Sequence, residues 1–390
     1  MDFELTPDQQ ELVDMVRDFC SREIDPHASQ WDQAEHFPLD VFRKMGELGL
    51  LGIPLPEQYG GGGGSFVDYI LAIEELARHD AGLATAYSVH LSAHASTIAA
   101  WGTPEQKSRY LPKLASGQWL GCFALTEPHC GSDAAALRTR ADRDGEAYVL
   151  NGTKQWITNA KSGDLFLLFA RTDPESKGAR GITAFLIEKG TPGLIVDRKT
   201  HKLGMRTSET YDLVLKDCRV PASAVIGAVG EGFKVAMRTL DSGRIGIAAQ
   251  ALGIGQAALD EARKFALERE AFGQPIARFQ AIQWKIADMA TQLAAGRILT
   301  YRAAWLKDQG LPHTKEGAMA KLQASRAARE AAQESLQIHG GYGFSQEFPI
   351  ERHYRDVKVT EIYEGTSEVQ KIVISRAVLS ARRALEPAAR

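Results

Sequence analysis

The sequence predicts an α+β fold, mostly α: a helical domain, a small β domain and a four-helix bundle, in that order along the chain. Three observations predict it. Up to about Gly117, apolar residues recur at helical spacing. From about Gln118 to Pro221, short β-rich runs are separated by Gly, Asp, Pro and Ser. Beyond Pro221, four long stretches with apolar stripes and short connections describe a bundle. The expected domains are residues 1–117, 118–230 and 231–390.

The first helix has a start signal in Thr6, Pro7 and Gln9, after which Leu12, Val13, Val16, Phe19 and Cys20 share one face. LDVFRKMGELGL, FVDYILAIEELARHD and TPEQKSRYLPKLASG give further helices. The run Gly60–Gly64 lacks the Lys and Ser/Thr that a phosphate loop needs, so a flexible surface turn is expected. WLGCFALTE, AYVLNGTKQWITN, DLFLLFAR, GITAFLIE, GLIVDRK and TYDLVLKDCRV are the expected strands of a small barrel or sandwich, and no crossover helices separate them as a Rossmann sheet would require. In the first bundle helix, Gly243, Gly246, Gly253 and Gly255 weaken an isolated helix and make sense where a ligand or another helix lies close.

Composition limits the function classes. With 390 residues, 44% of them hydrophobic, the chain can bury an ample core, and 46 basic against 49 acidic residues leave no positive field for nucleic acid. MDFELTPDQQ is acidic where a secretory or transit peptide is basic, and no run of about 18 apolar residues can span a bilayer. A cytoplasmic protein with no membrane-bound role is expected. Cys20, Cys122, Cys130 and Cys218 show no metal-ligand spacing, and no metal site is expected.

Chemistry concentrates in three places. Glu364 precedes Gly365 and then Thr366, Ser367 and Glu368, where a sharp turn, a capping box of Ser367 with Gln370 and the stripe Val369, Ile372, Val373 predict a carboxylate on a loop before a helix. The spacing of Glu361, Glu364 and Glu368 also suits the solvated face of an ordinary helix. FALTEPHCGSD bends at Pro128 and Gly131 and offers Thr126, Ser132 and backbone N–H groups, as a binding loop or a polar hairpin. KQWITNA sets the Trp156 indole beside Thr158 and Asn159, which suits a flat heterocycle, although a core tryptophan has the same pattern.

Taken together and in order, FALTEPxxGSD, QWITN, LDSGRIGIAAQALG, ALEREAFGQPI, QIHGGYG and EIYEGTSEVQ identify the sequence as resembling the acyl-CoA dehydrogenase family, nearest its short-chain, butyryl-CoA type branch. The resemblance implies FAD as cofactor, an acyl-CoA substrate, a homotetramer and electron-transfer flavoprotein as electron acceptor. It implies that Phe123, Ala124, Leu125, Thr126 and Ser132, with Trp156, Ile157 and Thr158, hold the flavin ring, Ser132 also lying near the substrate. Arg269 and Gln280 match residues that bind the FAD pyrophosphate of a neighbouring subunit, and a guanidinium fork suits that role. Gln337, Ile338, His339, Gly340 and Gly341 match another flavin loop, with no catalytic role for His339, and Thr366, Ser367 and Glu368 match contacts at the adenosine end.

By the same resemblance Asp241, Ser242, Gly243 and Arg244, with Tyr363 and Gly365, contact the substrate, and Glu364 is the base that takes the α-proton. Branches that carry this glutamate elsewhere have it where Gly243 stands here, and glycine cannot act as a base. Burial is expected to raise the pKa of Glu364 towards the working pH. The expected reaction is dehydrogenation of a short- to medium-chain acyl-CoA to the trans-2-enoyl-CoA, with flavin N5 taking the β-hydride. An acyl-CoA oxidase, usually a longer chain, and a non-enzymatic flavin- or CoA-binding protein are the alternatives. The helix with Tyr87, His90, Leu91, Ser92 and His94 is expected near the end of the acyl tunnel, and His129 and Cys130 depart from the small residues usual in the family.

Overall fold

The computed structural model describes residues 4–176 and 178–383. The chain forms two compact units, one from Met1–Ser29, Ile70–Ala81 and Arg244–Arg390, the other from Gln30–Tyr69 and Gly82–Gly243. Residues 384–390 of the expected third domain lie outside the described residues.

The N-terminal helices are α1 (Pro7–Glu23), α2 (Ala28–Ala34), α3 (Leu39–Glu47), α4 (Phe66–His79), α5 (Ala81–Ser88), α6 (Ser96–Trp101) and α7 (Pro104–Ala115). Thr6 and Gln9 form the expected reciprocal cap on α1, whose Val13, Val16, Phe19 and Cys20 are buried; such a cap contributes about 1 kcal/mol. Thr103 and Gln106 cap α7 in the same way. Between α5 and α6 lies one stretch of π-helix, Val89–Ala95, which the sequence pattern did not reveal. Its His90 accepts from Gly121 N–H at 3.0 Å and bonds Leu114 O at 3.1 Å, while His94 Nδ1 bonds Cys122 O at 2.9 Å. Both rings are buried, and burial drives their pKa values down to about 3 and about 4, so they are neutral struts for the strand that follows.

The glycine run is an exposed turn, as expected, and it is tied by main-chain hydrogen bonds. The amides of Gly61, Gly62, Gly63 and Gly64 donate to the carbonyls of Pro56, Gly52, Leu55 and Ile53. A Cβ on Gly61 would lie 2.2 Å from Leu55 O, so close backbone approach explains the glycine there.

All six expected strands form, as β1 (Gly121–Ala124), β3 (Ala147–Thr158), β4 (Leu165–Arg171), β5 (Ile182–Glu188), β6 (Leu194–Lys199) and β7 (Thr210–Pro221), joined by β2 (Arg140–Asp144) and β8 (Val225–Ile226). The order is β6-β7-β3-β2-β4-β5-β8, with β1 on β4. Neighbours are antiparallel except β1 and β2 against β4, which run parallel. Ala124, Leu150, Ile157, Phe166, Leu168, Phe185 and Leu213 build one core on the sheet.

Helices then return as α8 (Gly232–Glu268), α9 (Gln280–Asp308), α10 (Thr314–His339), α11 (Ile350–Val357) and α12 (Ser367–Arg383), with the short hairpin β9–β10 (Glu270–Ala271, Gln274–Pro275) between α8 and α9. The α8 glycines answer to helix packing: a Cβ on Gly253 would meet Glu74 O at 2.2 Å, and one on Gly255 would meet Leu293 at 2.6 Å and Ala328 at 2.9 Å. α10 turns an alanine-rich face inward, with Ala318, Ala320, Ala324, Ala327, Ala328 and Ala331 buried.

Candidate active site

Glu364 stands on the expected loop, between a 3₁₀ turn at Lys358–Glu361 and α12. The backbone is left-handed at two consecutive residues, Glu364 (φ 50°) and Gly365 (φ 90°). Glycine adopts this freely, whereas a glutamate there is held at a cost of about 1 kcal/mol. The helix cap differs from expectation. Thr366 Oγ1, not Ser367, accepts the Val369 amide at 3.3 Å, and the Gln370 side chain turns back to donate to Gly365 O at 2.7 Å. Ser367 is already inside the helix, because the left-handed pair shifts the helix start by one residue.

The loop is tied from α10 as well. Lys321 Nζ donates to Thr360 O at 2.9 Å and to Gly365 O at 2.8 Å. Tyr363 O–H donates to Gln250 Oε1 at 2.5 Å. Glu364 Oε2 is shielded from solvent and accepts no hydrogen bond. Burial pushes the carboxyl up to about 7, against the opposing pull of Lys321 and Arg244. Burial pulls Lys321 down to about 8, while Glu364 holds it up. Glu364, Tyr363, Gly365 and Arg244 thus come together in one unit, with Arg244 itself buried. The solvated-face reading of Glu361, Glu364 and Glu368 fails because these residues do not share a helix.

In the other unit, Trp156 sits at a break in the register of β3 on β7, between Lys154 and Ile157. Its left-handed backbone (φ 59°) turns the indole outward, 59% exposed, as bulges do when they re-aim a side chain. A core tryptophan is therefore excluded. The Gln155 amide donates to Thr126 O at 2.9 Å and joins this segment to FALTEP. Phe123, Thr126 and Thr158 are half-buried and Ser132 is exposed. Ala124 and Ile157 lie in the core and Leu125 is buried, so these three have only main-chain groups to offer. An exposed indole beside threonine hydroxyls fits a flat heterocycle with a polar rim.

Beneath these segments lies a pair that sequence reasoning missed. Lys154, 0% exposed, donates to Glu127 Oε1 at 2.7 Å and Leu125 O at 3.1 Å. Glu127 also accepts the amides of Thr139 at 3.0 Å and Arg138 at 2.6 Å. Despite burial, Lys154 and these amides hold its carboxyl below the usual range. The readable signal was a lysine in an inward-facing strand position. His129 and Cys130 complete the turn, with Glu127 and Cys130 exchanging both main-chain hydrogen bonds at 3.1 and 3.0 Å. Glu127, His129 and Cys130 offer donor atoms within 4.8 Å of one another. The Glu127 oxygens are already taken, and burial raises the Cys130 thiol pKa, so neither metal binding nor nucleophilic chemistry is supported there.

Arg269, Gln280 and Gln337 are exposed, and the Arg269 guanidinium lies 5.4 Å from the Tyr342 ring centre. α9 begins at Gln280 with no side-chain cap from Phe279. Ile338 and His339 are buried; His339 stacks on Phe265 at 4.3 Å and bonds Ser335 O at 2.7 Å, which makes its ring structural. Gly340 and Gly341 have open space where a Cβ would be. Asp241 and Ser242 are half-buried, Gly243 is buried, and Glu368 is exposed.

Three family models cover nearly the whole chain: acyl-CoA dehydrogenase N-terminal domain at 6–118, middle domain at 122–218 and C-terminal domain at 230–379. The chain is 47% identical over 375 residues to a short-chain specific acyl-CoA dehydrogenase of Clostridium acetobutylicum, covering 96% of this chain and 99% of the other. It is 48% identical over 381 residues to an acryloyl-CoA reductase (NADH) of Anaerotignum propionicum, covering 97% and 96%. The structure of butyryl-CoA dehydrogenase from Megasphaera elsdenii is similar with a TM-score of 0.95 at 45% identity, covering 97% of this chain and 100% of that one. Family members are FAD-dependent oxidoreductases. With matched domains in the same order and near-complete coverage, the chain belongs to the acyl-CoA dehydrogenase family.

Proposed function

We propose that the chain oxidises a short- to medium-chain acyl-CoA thioester to its trans-2-enoyl-CoA, with Glu364 taking the α-proton. The observation that carries this reading is the shielded, unpartnered Oε2 of a carboxyl whose pKa lies at about 7. Such a group is a far better base at neutral pH than a solvated glutamate and has no hydrogen bond to give up before it accepts a proton. FAD, when bound, supplies the β-hydride acceptor at N5. Thr126, Ser132, Trp156 and Thr158, with the main-chain groups of Phe123–Thr126 and Ile157, are read as holding its ring. Asp241, Ser242, Gly243 and Arg244, with Tyr363 and Gly365, are read as the acyl-CoA contacts.

The reading extends to a cytoplasmic homotetramer that passes electrons to electron-transfer flavoprotein. All four cysteines are free, as expected in a reducing compartment, and no helix among the described residues is long and apolar enough to cross a membrane. Phe272 (95% exposed) and Phe344 (89%), with Trp284, Ile298 and Trp305 of α9 and Val378 and Leu379 of α12, are apolar side chains left open on the single chain. Covering them by further copies accounts for the α12 stripe, which is not buried within the chain. Arg269 and the uncapped start of α9 suit a pyrophosphate, and Gln337–Gly341 and Thr366–Glu368 are read as further FAD contacts. Light scattering is expected to give four chains per particle; a monomer would overturn the assembly.

The Anaerotignum relative motivates a second reading, reduction of a short enoyl-CoA, because a carboxyl at about 7 is populated in both its basic and acidic forms. Anaerobic titration of the yellow holoprotein with saturated acyl-CoAs of increasing length tests both. Bleaching of the flavin band by short chains is expected. Reoxidation of reduced protein by an enoyl-CoA, with no bleaching by saturated thioesters, would favour the reductase, and no response to any thioester would overturn both.

A further inference from the structure

We propose that Lys321 is the positioning residue for Glu364, gripping the loop on both sides of the carboxylate and keeping a cation beside it. The proposal rests on the reading of Glu364 as the base. Lys321 is 1% exposed on the alanine face of α10. Its ammonium donates to Thr360 O and Gly365 O, two carbonyls that bracket Glu364 in the chain. Between those anchors, Glu364 and Gly365 hold the consecutive left-handed conformations that aim the carboxylate. A second tie comes from Gln370, which donates to Gly365 O at 2.7 Å. Two hydrogen bonds to one carbonyl fix the loop's exit, and the Thr360 bond fixes its entry.

A neutral donor would satisfy two carbonyls at far smaller desolvation cost than a buried ammonium. The charge therefore requires its own explanation, and the charged groups around it supply one. Lys321 from α10 and Arg244 from α8 both act on Glu364, and Lys321 is the stronger influence. Glu361, the other acid acting on Lys321, is tied to Arg329 at 3.1 Å and Lys358 at 2.7 Å. The lysine charge thus bears mainly on Glu364. It counters the burial that would keep the base protonated, while the two carbonyl bonds stop the ammonium from closing onto Oε2, which remains unpartnered.

The test compares holoenzyme carrying Lys321→Met, Lys321→Gln, Lys321→Arg or Glu364→Gln with the parent. For Lys321→Met, kcat is expected to fall about 10- to 100-fold with KM changed less than about threefold. The acid limb of the kcat profile should move up by about one pH unit, since loss of the cation favours the protonated carboxyl. Amide hydrogen exchange in 358–366 should quicken. Lys321→Arg, which keeps the charge, should return the acid limb towards the parent's position. A Met variant with lowered melting temperature but unchanged kcat, limb and exchange would make the lysine merely structural and overturn the proposal. If the Met variant loses flavin or fold, Lys321→Gln decides, because it keeps an N–H donor, one bond shorter, and removes the charge: a limb left in place overturns the proposal. If Glu364→Gln turns over like the parent, the base assignment fails by itself, and the exchange data still report whether Lys321 holds the loop.

Discussion

Glu364→Gln is expected to lower turnover by about 10²- to 10⁴-fold or more, while making the protein more stable above pH 7. The loss follows from replacing the carboxylate that would take the α-proton by an amide of the same shape that cannot. The stability gain follows from linkage. The folded-state pKa of Glu364 is raised from 4.5 to about 7, so the fold favours the neutral acid. Its contribution is fully present below about pH 4.5 and is lost as pH rises through about 7. At 1.36 kcal/mol per unit, the buried carboxylate costs about 3 kcal/mol at pH 8, and glutamine removes that cost. Melting temperatures of the two proteins should therefore diverge from about pH 4.5 to about pH 7 and stay apart above it, with the variant higher. Parental turnover in the variant would sink the base assignment, and a melting difference independent of pH would sink the burial argument.

The loop that carries Glu364 was legible in the residues themselves, whereas its role as base followed from the family resemblance. The turn, the glutamate and the helix after it follow from local rules, as do the Thr6–Gln9 cap and the six strands, because each depends on residues within a few positions of one another. What local rules could not supply was the loop's support. Lys321 lies 43 residues before Glu364, in a stripe otherwise made of alanine and other small residues. A charged residue at such a core position signals a buried polar partner, but the sequence does not say which carbonyls it meets. The Ser367 cap was misplaced for a related reason: two successive left-handed residues shift the helix start to a position that propensity does not favour. The Gly60–Gly64 run is the surface turn expected, but its close backbone contacts were not legible, because glycine marks both freedom and close contact and only the neighbouring Leu55 backbone distinguishes them. Trp156 had the right chemistry in the sequence, yet its exposure comes from a register break set by pairing with a distant strand.

The second large effect is expected at Glu127, which touches neither reacting carbon in the proposed chemistry. Glu127→Ala should cost about 3–5 kcal/mol, because it strands the Lys154 ammonium, 0% exposed, without its carboxylate. It also frees the amides of Arg138 and Thr139 that the same carboxylate accepts. Flavin retention should fall with stability. Thr126 lies between Leu125, whose carbonyl Lys154 holds, and Glu127 itself, and its own carbonyl receives the Gln155 amide next to Trp156. Loosening that node moves the hydroxyl and the indole read as flavin contacts together. The double variant Glu127→Ala/Lys154→Met separates charge from shape: with no stranded ammonium, it should recover more than half of the lost stability in urea denaturation. Flavin content should recover less, since neither alanine nor methionine ties Leu125 to Thr139. Equal stability of the single and double variants would mean that the cost lies in the freed amides and not in the unpaired charge.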